Sequence, residues 1–127
     1  MWARVCEVMF GCWLAMSPFI FRHPPDEPRW WWNDFGCAAA VIVLALASFH
    51  PRTQWAHLLG IAVGLWLIAS GYRDLATDPP PAVQNDVLVG WLLLMFAIIP
   101  NDADRPPAGW EERLREEKDQ FRVPRSE

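Results

Sequence analysis

The chain has 127 residues with a formal net charge of −4, and 53% of it is apolar. That length holds one compact unit, and the acidic balance offers no basic face for phosphates, which excludes nucleic-acid binding. A mean hydropathy of +0.06 conceals segregation: residues 1–100 carry nearly all the apolar mass and residues 101–127 most of the charge.

In chain order, four apolar runs stand out, from about Val5 to Phe21, Phe35 to Phe49, Trp55 to Tyr72 and Val87 to Ile99. As helices they reach roughly 25, 22, 27 and 20 Å, against a hydrocarbon core of about 30 Å. The second and fourth are short for a span. Even so, Cys37 to Ala47 holds no hydrogen-bonding side chain beyond a thiol, and Leu88 to Ile99 none beyond Trp91. A helix bundle in water needs a polar stripe on every helix, so these runs read as buried in lipid. Asn33-Asp34 and Asn85-Asp86 are expected to cap the second and fourth helices at their N-termini. Nine tryptophans, several at the edges of the runs, suit the membrane interface. Arg4 ahead of an apolar stretch resembles a signal peptide, but residues 11–17 have an echo further on, so the first run is read as a retained helix.

That echo organises the chain. Gly11, Trp13, Leu14 and Ser17 recur 53 positions later as Gly64, Trp66, Leu67 and Ser70, and Asn33-Asp34 recurs 52 positions later as Asn85-Asp86. A period of this size built from two apolar runs implies a duplicated helical hairpin. The expected architecture is all-α: a four-helix membrane domain over 1–100, with repeat 1 about 5–49 and repeat 2 about 55–99. A charged cytoplasmic tail follows over 101–127. A tight turn, His50 to Gln54, joins the copies, while residues 22–34 and 73–86 form longer, proline-bearing loops on the opposite face. The face with the termini carries Arg4 and Arg52 and, near the last helix, Arg105, Arg113, Arg115 and Lys118, against Arg22, Arg29 and Arg73 opposite. The positive-inside rule then places both termini in the cytoplasm, with the two hairpins oriented alike.

Small residues mark expected close packing: Ala56, Gly60 and Gly64 on the third helix, Gly36 with Ala40 on the second, and Gly11 with Ala15 on the first.

The sequence of glycine, tryptophan, leucine and serine-proline-aromatic, followed by a loop and an Asn-led helix, resembles the SPW repeat family of small bacterial membrane proteins. Gly11, Trp13, Leu14, Ser17, Pro18, Phe19 and Asn33 carry the resemblance in the first copy. Gly64, Leu65, Trp66, Leu67, Ser70, Tyr72 and Asn85 carry it in the second. Phe19 and Tyr72 stand where the signature has tryptophan, and Gly71 replaces the proline. The resemblance implies two two-helix membrane repeats and brings no catalytic residues. As a helix exit the motif is sensible: Pro18 cannot donate to the ladder, Ser17 can satisfy a freed carbonyl, and Gly71 can end a helix in the left-handed conformation.

Chemistry is sparse. Glu7 and His57 are the ionisable groups within the runs, cysteines aside, and both lie near the terminal face. Glu7 reads as an ion pair with Arg4, and His57, aligned with Arg4 across the repeat, as a headgroup contact. Cys6, Cys12 and Cys37 lack metal or redox spacing and read as small apolar residues. His50 and His57 have no further ligand nearby. Asp26, Glu27, Asp74 and Asp78 read as solvated acids. Trp110 to Phe121 suggests a short helix in the tail. With no phosphate loop, nucleophile elbow or triad, the reading is a non-enzyme without cofactor or metal. The expected role is structural or accessory in the bacterial cytoplasmic membrane, with the lipid bilayer and another membrane protein or a second copy as partners. The alternative is a small transporter or channel subunit acting as an oligomer.

Overall fold

The computed structural model describes residues 2–74, 80–101 and 109–120. Among them the chain is helical without strands: α1 Trp2–Ile20, α2 Pro28–Ala47, α3 Gly60–Asp74, α4 Pro80–Ala97 and α5 Trp110–Gln120. Two 3-10 turns, Pro51–Thr53 and Ala56–Leu59, join α2 to α3. Three stretches, Trp2–Ile20, Pro28–Ala47 and Ala56–Asp74, are long and apolar enough to cross a membrane; α4 is apolar but shorter over Pro81–Ala97.

Both α2 and α4 begin at proline, five residues ahead of the expected Asn-Asp caps. Proline suits the first helical position because its missing N–H has no intrahelical partner there anyway. Glu27, not Asn33, is the N-cap residue of α2. Asn33 and Asp34 therefore lie in the second turn, and Asn85 and Asp86 hold the same place in α4. The helix-exit reading is corrected too. Pro18 lies inside α1, which continues to Ile20, and Gly71 lies inside α3, which continues to Asp74.

The end of α1 is a Schellman closure. Arg22 takes the left-handed conformation (φ 54°) and the His23 N–H reaches back to the Pro18 carbonyl at 3.0 Å.

The helices alternate in direction. At one end the Arg4 guanidinium donates to the Phe96 and Ile99 carbonyls, 2.7 Å each, closing the C-terminus of α4. There, too, the Asn101 amide donates to the Ser48 and Gln54 carbonyls. At the other end Arg29 of α2 meets Asp74 of α3 at 2.9 Å. α1 packs along α2 and α3 along α4, with α1–α4 and α2–α3 contacts closing the bundle. The centre is made by Leu14, Cys37, Val41, Leu67, Val89 and Leu93. Residues 52 or 53 apart take matching places there: Leu14 and Leu67, Cys37 and Val89, Val41 and Leu93. The outward faces stay apolar, with Met9, Phe19, Val43, Leu65, Trp91 and Met95 all more than half exposed.

The small-residue positions divide. A Cβ on Gly64 would sit 2.8 Å from the Gly90 carbonyl oxygen, so α3 and α4 touch backbone to backbone. Gly11 packs as closely on Ala38 and Ile42 of α2, while Gly60 faces Ala97 at ordinary distance. Ala56 and Ala40 are half-buried. Gly36 is exposed and has nothing within 4 Å of an added Cβ, because α2 turns Cys37, Ala38, Val41 and Ala45 inward instead.

Candidate functional site

The polar residues of the recurring motif converge at the loop end of the bundle. Placing Asn33 and Asp34 in the second turn of α2 points them at neighbouring helices rather than at their own N-terminus. The Trp66 indole N–H donates to Asn33 Oδ1 at 2.9 Å, and the Trp13 indole N–H donates to Asn85 Oδ1 at 2.7 Å. Each tryptophan thus reaches the asparagine of the other copy. The two bonds are reciprocal, and they tie α1 to α4 and α3 to α2.

Within the first copy the contact is between serine and aspartate. Ser17 Oγ lies 2.5 Å from Asp34 Oδ2 and 3.0 Å from the Leu14 carbonyl, the acceptor that Pro18 leaves without a helical donor. With one proton to give, the hydroxyl donates to the nearer partner. His23 Nε2 meets the same carboxylate oxygen at 3.1 Å, its ring set edge-on between Trp30 and Trp31. Asp34 and Ser17 are both fully buried. In the second copy Ser70 and Asp86 are likewise buried, and the Ser70 hydroxyl donates to the Leu67 carbonyl at 3.1 Å. Asn85 donates to Asp86 at 3.4 Å, as Asn33 does to Asp34.

The aromatics ending the motif face outward: Phe19 and Tyr72 are exposed, Phe19 packing edge-on against Trp31 and Phe35. Beside them, Asp74 accepts from both Arg29 and Arg73, and Arg29 stacks over the Trp30 ring at 5.0 Å. Asp26 and Glu27 line a cleft with these residues; Asp78 lies outside the described residues.

At the opposite end, Arg4 and Glu7 pair at 2.9 Å, and both are buried. His57 is buried with Nδ1 2.6 Å from the Gln54 carbonyl, and His50 Nδ1 accepts from the Arg52 N–H. Both histidines are therefore held by local backbone. Among the described residues no three His, Cys, Asp or Glu side chains converge as a metal would require.

Sequence reading missed Asp34, Asp86 and His23, taking the acids as caps and the histidine as loop. The available signal was the recurrence itself: an aspartate repeated in register with a serine one helix earlier.

These features define an all-helical protein whose helices are built for a membrane and joined by reciprocal polar contacts. The model of the SPW repeat domain matches residues 1–100, and the chain belongs to that family. No curated protein and no solved structure matches it.

Proposed function

We propose that the chain is an integral membrane protein of two duplicated hairpins, four spans in all, with both termini in the cytoplasm. Its role is structural or accessory within the bacterial cytoplasmic membrane, without enzymatic activity of its own. One observation carries this reading: the polar side chains of the spans bind one another and their neighbours' backbone. Trp13 with Asn85, Trp66 with Asn33, Ser17 and His23 with Asp34, and Arg4 with the end of α4 all join helices. Such contacts favour a rigid bundle that presents an apolar exterior to lipid and to partners. Six Lys and Arg near the membrane on the terminal face, against three opposite, support the orientation.

The test is capture from mild detergent after cross-linking in cells. A defined membrane partner or a specific self-assembly is expected; a strictly monomeric, partnerless chain refutes the accessory role. Single cysteines at Glu27, Thr53 and Arg115, in a background lacking the native three, report topology: Thr53 and Arg115 label from the cytoplasm and Glu27 from outside. The alternative, an oligomeric transporter or channel subunit, draws on the buried carboxylates Asp34 and Asp86. Solute or ion flux in liposomes, abolished by Gly60→Leu, would displace the accessory reading.

A further inference from the structure

The α2–α3 seam and the α1–α4 seam are built from residues 52 or 53 positions apart, and the α2–α3 seam holds a cleft. The lining residues are identical at two positions, Trp66 with Trp13 and Asn33 with Asn85. They differ at the others, where Trp30, Trp32 and Cys37 of the cleft stand against Ala82, Gln84 and Val89, and four further exchanges change its chemistry most. Where the α4–α1 side has Ile20, Phe21, Pro81 and Leu88, the α2–α3 side has Arg73, Asp74, Arg29 and Gly36. At these four positions apolar side chains of the α1–α4 seam are replaced by a charged mouth and a missing side chain in the α2–α3 seam. The result is a cleft of about 530 Å³ running from Arg29, Arg73 and Asp74 down to Gly36 and Cys37, flanked by Trp32 and Trp66.

The cleft has three chemically distinct zones in order along the helices. Deepest is the open, apolar stretch at Gly36, which has nothing within 4 Å of an added Cβ. Next come two guanidiniums that share the Asp74 carboxylate, with Arg29 65% and Arg73 56% exposed, so both keep N–H groups facing outward. Two cations on one buried carboxylate leave an unbalanced positive charge suited to a phosphodiester. Outermost, an adjoining cleft of about 590 Å³ shares Arg29, Trp30, Arg73 and Asp74 and adds Asp26 and Glu27, acids suited to an ammonium.

Acyl chain, phosphodiester and amine occur in that order in one class of molecule. We propose that the α2–α3 cleft binds a single aminophospholipid of the phosphatidylethanolamine type. Its phosphate sits on Arg29 and Arg73, its amine toward Asp26 and Glu27, and an acyl chain lies along Gly36 between Trp32 and Trp66. The proposal rests on the reading of the chain as an integral membrane protein.

Native mass spectrometry of the full chain from detergent, supplied with phosphatidylethanolamine, phosphatidylglycerol or phosphatidylcholine, tests it. One phosphatidylethanolamine per chain is expected, at fivefold or greater occupancy over the other two. Gly36→Leu, which installs the side chain that Leu88 supplies at the equivalent position of the α1–α4 seam, and the double variant Arg29→Gln/Arg73→Gln are each expected to lower that occupancy at least fivefold. Leu88→Ala leaves it unchanged. The circular dichroism of Gly36→Leu should match the parent chain and its thermal midpoint should equal or exceed the parent's, separating lost binding from lost fold. Equal retention of the three lipids, occupancy indifferent to Gly36→Leu, or displacement by soluble phosphoethanolamine would each overturn the site. A chain that needs detergent yet selects no lipid refutes this proposal alone; a chain that stays folded without detergent refutes the membrane reading beneath it.

Discussion

Gly36 and Gly64 both stand in small-residue stripes, yet only Gly64 has a helix against it. Substituting valine at each separates packing from composition. At Gly64 the new Cβ would lie 2.8 Å from the Gly90 oxygen and 3.2 Å from Leu94, and the backbone contact leaves nothing flexible to move aside. Overpacking of this kind costs about 1–3 kcal/mol. Valine recovers only about 0.4 kcal/mol of helix propensity over glycine. The net loss is therefore about 1.6 kcal/mol, and at 1.4 kcal/mol per decade the folded-to-unfolded ratio falls roughly fifteenfold. At Gly36 nothing lies within 4 Å, so the same substitution gains the propensity alone and raises that ratio about twofold. Dodecyl sulfate titration of detergent-purified protein, followed by circular dichroism, measures both. Equal stability of the two variants, or a larger loss at Gly36, would refute the assigned α3–α4 contact.

Other substitutions probe the polar contacts. Double-mutant cycles on Trp13→Phe with Asn85→Ala, and on Trp66→Phe with Asn33→Ala, should each return a coupling of about 0.6 kcal/mol, the usual size for such bonds between membrane helices. No coupling in either cycle would contradict the cross-copy pairing. Ser17→Ala removes a donor from the buried Asp34 carboxylate and is expected to cost about 1–3 kcal/mol in the same titration. Arg4→Met leaves Glu7 and the Phe96 and Ile99 carbonyls without their partner and should cost about 3–5 kcal/mol; Arg4→Met/Glu7→Leu should recover part of it.

Helix number, order and the family could be read from the sequence because apolar runs and the 52–53-residue recurrence are properties of the chain itself. The Arg4–Glu7 pair was legible for the same reason, being one helical turn apart. Helix starts were not. Asn33-Asp34 satisfies the rule for a cap, but Pro28 can open the helix earlier, and nothing local decides between them. Once the helix starts at proline, the role of the aspartate is fixed by Ser17 and His23, residues distant in sequence. Gly36 and Gly64 show the same limit: composition marks where close approach is possible, and only the rotation of each helix decides where it occurs. Gly71 was read as a terminator, whereas it packs against Val87 within the last turn of α3.

The crossed indole–amide bonds have a consequence for how such a bundle can arise. Contacts in which each half supplies both the donor and the acceptor are the kind a twofold homodimer makes with itself. A polypeptide holding a single hairpin would carry one tryptophan and one asparagine with no mate inside its own chain. Two copies side by side would complete both links at once, so joining them end to end changes the connectivity without altering the interface.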